Sequence, residues 1–90
     1  SQAKQYYDAH ASTQALDICD RLYTEWERRS PLLASLLPHQ QLDDIYLELI
    51  HLQSLLQGGD AIEILYSFQQ LDYLFSHLTK ADALSFGNIF

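Results

Sequence analysis

The sequence predicts an all-α domain, an antiparallel bundle of three main helices with a short corner helix and a packed C-terminal tail. Three observations carry this. Leu42, Ile45, Leu49, Leu52 and Leu56 recur at the three-to-four-residue spacing of one helix face. Gly58-Gly59-Asp60 then interrupts the run before a second apolar helix, as a helical hairpin requires. Only three glycines and two prolines occur in a chain that is 48% apolar, which leaves little room for disorder or long irregular loops. Ninety residues make one small domain, residues 1–90, with a single core.

The elements follow in order. Ser1 to His10 place Tyr6 and Tyr7 in a polar setting and read as the frayed end of a helix that begins upstream. Ser12 or Thr13 reads as the N-cap of a helix running to about Arg29. Ala15, Ile18, Cys19, Leu22 and Trp26 share one face of roughly 100°, the width of a helix lying on a core. Asp17–Arg21 and Glu25–Arg29 on the opposite side have the acid-before-base spacing of four, worth about 0.2–0.5 kcal/mol each, and read as helix support and solvation. Ser30-Pro31 suits a cap and first turn, so Leu32, Leu33, Leu36 and Leu37 are expected in a short corner helix ended by Pro38.

The next helix is expected from Gln40 to Gln57. Its wide apolar arc, which adds Tyr46 and Ile50 to the leucine run, marks it as central. Gly58-Gly59 is expected to supply a left-handed C-terminal turn, with Asp60 and Glu63 as the capping box of a last helix reaching about Leu78. Ala61, Ile64, Leu65, Phe68, Leu71, Leu74, Phe75 and Leu78 form its core stripe. The tail from Lys80 carries Leu84, Phe86, Ile89 and Phe90 and is expected to fold back onto the helices.

Charge and composition restrict function. Five basic against twelve acidic residues give a formal charge of −7, which opposes binding to nucleic acid or to anionic lipid. Cys19 has no partner for an internal disulfide and reads as a buried small apolar residue. No apolar run approaches the about 18 residues a transmembrane helix needs. The chain starts at Ser1 and has no methionine, so an upstream segment, a signal peptide or membrane anchor, is expected to have been removed.

A family resemblance emerges from these same residues. The helix from Ala15 to Trp26, His39 followed by Leu42-Asp43-Asp44-Ile45, the helix ending at His77-Leu78, and the terminal Ser85 and Asn88-Ile89-Phe90 together resemble the domain of unknown function (DUF) family 4363. The resemblance implies a small protein of clostridia and their relatives, held by one N-terminal membrane helix with its helical domain outside the cell membrane. It implies no activity.

Candidate sites are few. Asp44, Glu48 and His51, spaced by four and three, lie on one arc of the central helix, and Glu48 with His51 has the separation used in helical di-metal carboxylate sites. Such sites need a second pair from another helix, and none is present; the alternative is a solvated acidic face with His51 paired to Glu48 or Asp44. His39 is placed to cap or bridge the corner by bonding to backbone groups. No nucleophile elbow or phosphate-binding glycine loop occurs, so an enzyme is not expected. On the last helix Ile62, Tyr66 and Tyr73 form a second stripe away from the main core, flanked by Gln69, Gln70 and His77. The returning tail either covers this stripe or leaves it as a surface for a partner or for self-association. The leading reading is therefore a non-enzymatic interaction or scaffold domain with an unknown protein partner and no cofactor. A metal- or small-ligand-binding domain built on Asp44, Glu48 and His51 is the alternative, and self-association as the whole function is a third reading.

Overall fold

The computed structural model describes residues 2–90, and side chains from Ala11 onward; Tyr6, Tyr7 and His10 lie outside the described side chains. Four helices follow one another: α1 (Gln2–Leu33), α2 (His39–Leu55), α3 (Ala61–Phe75) and α4 (Lys80–Gly87). No strand occurs among the described residues, and the fold is all-α.

α1 is longer than its caps predict at both ends. Ser12 and Thr13 lie inside it and start nothing. A cap is effective only where the preceding backbone leaves the helix, and neither Gly nor Pro stands upstream to break it; Ser or Thr within a helix costs only some tenths of a kcal/mol. Pro31 sits in the last turn of α1, so the separate corner helix is not formed. So near the end, proline forfeits one backbone bond, and residues 34–37 then tighten into a turn through Ser35 N–H to Leu32 O (3.1 Å) and Leu36 N–H to Leu33 O (3.0 Å). Leu33 enters the core and Leu37 packs beside it, while Leu32 and Leu36 remain exposed.

α2 lies between α1 and α3, touching both. It contributes Leu42, Ile45, Leu49 and Leu52 to the core. These meet Cys19, Leu22 and Trp26 of α1 and Leu71 and Phe75 of α3. The arc is narrower than the pattern predicts: Tyr46 and Ile50 are 45% and 40% exposed, beside the Leu42, Ile45, Leu49 and Leu52 line that is buried. Gln41 near the start of α2 donates to the His77 carbonyl just beyond α3 (3.4 Å), and Glu48 further along α2 accepts from Ser67 earlier in α3 (2.8 Å).

The α2–α3 connection differs from the left-handed turn expected. Neither glycine has positive φ. Gly58 and Gly59 both donate to Leu55 O, at 3.1 and 2.5 Å. This brings the chain so close that a Cβ on Gly59 would lie 2.8 Å from that carbonyl oxygen, whereas one on Gly58 would meet open space. Close approach, not handedness, is what glycine supplies here. Asp60 then caps α3 by accepting from the Glu63 amide (2.8 Å), the Asp60 half of the capping box expected.

α3 turns Leu71 and Phe75 inward together with Ser67, which is fully buried; Leu65, expected in the core, is 58% exposed. The tail folds back as α4. Phe86 is completely buried, stacked on Phe75 with ring centres 4.1 Å apart and 6.4 Å from Trp26. Phe90 meets Phe68 edge-on, while Leu84 faces solvent.

Candidate functional site

The path of the tail decides what is left open. Phe86, Ile89 and Phe90 pack on the Phe68 and Phe75 side of α3 and against α1, so the opposite side is uncovered. Ile62, Tyr66 and Tyr73 are 81%, 58% and 59% exposed. Their spacings of four and seven place them on one line along α3, with Leu65 and Gln69 beside it. The Tyr66 hydroxyl accepts from Gln70 Nε2 (2.7 Å), which fixes its outer edge. Tyr73 is braced by the His77 ring, edge-on at 4.6 Å, and His77 Nδ1 lies 2.8 Å from the Tyr73 carbonyl. At this end the stripe runs into a groove of about 430 Å³ lined by Pro38, Gln40, Gln41, Asp44, Leu74 and the Tyr73–His77 pair. Rigid aromatic rings beside an apolar groove are the usual anchors of a protein contact.

The carboxylate–histidine trio does not converge. Asp44 accepts from Gln40 Nε2 (2.9 Å) at the groove, while Glu48 is engaged by Ser67 and by His51 Nδ1 (2.8 Å). Among the described residues no three His, Cys, Asp or Glu side chains come together as a metal site. A shared helix arc is not enough, because each carboxylate finds a nearer donor. The order Ser67–Glu48–His51 also places the carboxylate between serine and histidine. In a nucleophilic triad the histidine must stand in the middle to take the serine proton, so this chain of bonds ties α2 to α3 and does not activate Ser67. His39 opens α2 exposed, and no side chain caps that helix.

Glu25 and Arg29, which the sequence presents as a helix-supporting solvated pair, join a larger polar cluster in the structure. Glu25 Oε1 accepts from Arg28, Arg29 and Ser85 (2.5, 2.5 and 2.6 Å), and Arg29 also donates to Asp82 (2.5 Å), whose other oxygen accepts from Thr79 (2.7 Å). Bonding by Arg28, then Ser85 and Arg29, holds the Glu25 carboxyl down at about 2. Through Arg29–Asp82 and Ser85–Glu25 the cluster joins α4 to α1. Cys19 is buried as expected, and desolvation, with the Asp20 charge second, pushes its thiol pKa up and away from reactivity.

Against known families, the model described as Domain of unknown function (DUF4363) matches residues 1–89. The chain belongs to this family. Neither curated proteins nor solved structures gave a match. Within this DUF4363 domain no helix among the described residues is long and apolar enough to cross a membrane.

Proposed function

We propose that this DUF4363 domain is a non-enzymatic interaction or scaffold domain that recognises a protein partner through the Ile62, Tyr66 and Tyr73 face of α3. One observation carries the reading: the apolar C-terminal residues Phe86, Ile89 and Phe90 pack on the other side of α3 and leave Ile62, Tyr66 and Tyr73 exposed. The frame is an antiparallel bundle of α1, α2 and α3, supported for α2 and α3 by the Gln41–His77 contact, which joins the start of α2 to the end of α3, and the Glu48–Ser67 contact between their middles. Display on the outer side of a bacterial membrane, behind an N-terminal anchor, is supported by the family resemblance.

The test is a pull-down from membranes of the source bacterium with the full-length protein and its Tyr66→Ala, Tyr73→Ala variant. A specific protein retained by the first and lost by the variant, with the variant's helical content and melting curve unchanged, is the expected outcome. Equal retention by both removes the tyrosine face from the function.

A further inference from the structure

Charge around the α3 stripe is one-sided. From Ser30 to Thr79 the chain has no lysine or arginine, while Asp43, Asp44, Glu48, Asp60, Glu63 and Asp72 all fall in that stretch. Three of these border the aromatic face. Glu63 and Asp72 lie on α3 to either side of the line through Ile62, Tyr66 and Tyr73, about 80–100° from it at 100° per residue. Asp44 lines the groove at its Tyr73 end, with Gln40 as its hydrogen-bond donor. Lys80, the basic residue nearest the stripe in sequence, opens α4, while Arg28 and Arg29 on the other flank of that stretch are engaged with Glu25 and Asp82.

Resting on the interaction reading above, we infer that the occupant of this face is a basic amphipathic helix of another protein. Its apolar residues lie along Ile62, Tyr66 and Tyr73, and its Lys or Arg residues reach Glu63 and Asp72 on the flanks and Asp44 in the groove. The stripe spans twelve residues of α3, about 16 Å, which matches about three turns of a partner helix with apolar residues at i, i+4, i+7 and i+11. The tyrosine faces add attraction for the same cations. A second copy of this chain would bring the same carboxylates against their own kind, at a net −7 on each side.

The probe is a 14-residue helical peptide with leucine at those four positions and lysine elsewhere. Its controls are the same peptide with glutamate for lysine and a scramble of equal composition without the stripe. Each is titrated into the isotope-labelled protein and followed residue by residue by NMR. The lysine peptide should shift resonances of residues 62–77 and of Asp44, and neither control should. Affinity should fall about tenfold or more in the Tyr66→Ala, Tyr73→Ala variant, and severalfold both in Asp44→Asn, Asp72→Asn and on raising salt from about 50 to about 500 mM. Shifts spread over the acidic surface, equal binding of the scramble, or indifference to the aspartate variants would overturn the inference. A concentration-dependent mass abolished by the tyrosine variant would do so as well, by making a second copy the occupant. A non-basic partner captured through Tyr66 and Tyr73 would defeat this inference and leave the interaction reading standing.

Discussion

Trp26 and Gly59 show how much single positions carry. Trp26 is 6% exposed and touches the core from α1, with Phe86 beside it. Trp26→Ala removes the largest side chain of that core and should cost about 3–5 kcal/mol in a urea titration. A loss below about 1 kcal/mol would mean that the indole does not fill this space. The two adjacent glycines should respond with opposite sign. Gly59→Ala drives a methyl onto the Leu55 carbonyl and should destabilise by about 1–3 kcal/mol. Gly58→Ala enters open space at a backbone geometry alanine accepts, and should stabilise by about 0.4–1 kcal/mol by stiffening the unfolded chain. Equal effects of the two would contradict the tight turn.

α4 is an eight-residue helix, far too short to persist alone, so its order is tertiary in origin. Phe86 anchors it, and the Glu25–Arg29–Asp82 cluster orients it on α1. The Glu25 pKa lies below that of the unfolded chain, at about 2 against 4.5. Its contribution is therefore complete above about pH 4.5 and is lost as pH falls toward 2. Acid titration of stability should be shallower in Glu25→Gln than in the parent over that window. Asp82→Asn should cost about 1–2 kcal/mol and speed hydrogen exchange of α4 amides ahead of those of α2. Parallel acid profiles for the parent and Glu25→Gln would show that the cluster adds nothing to holding α4.

Over the whole molecule the long helix sets the shape. The Cα radius of gyration is 14.1 Å and the principal extents are 50 × 21 × 18 Å, against about 12 Å for a compact chain of this length. Small-angle scattering should return a radius near the larger value; about 12 Å would mean that α1 folds back on itself. The three long helices were legible in the sequence because each has a repeating apolar face, and the Asp60 cap because its signal is local. What was illegible depended on distant partners. Ser12 and Pro31 carry real cap and breaker signals that the surrounding helix outweighs. Asp82 and Ser85 stand 53 and 60 residues from the side chains they bind, so no spacing rule connects them. The Ile62, Tyr66 and Tyr73 line was visible as a stripe, but its exposure followed only from which side of α3 receives Phe86 and Phe90.

The contact between Trp26 and Phe86 gives the chain a built-in optical reporter. Trp26 is the only tryptophan, and the ring beside it belongs to α4. Its emission should therefore be blue-shifted while α4 is seated, and should move to longer wavelength when Phe86 withdraws and water reaches the indole. Followed beside circular dichroism, which counts all four helices, that single colour change tells whether the last helix leaves first or the molecule opens as one unit.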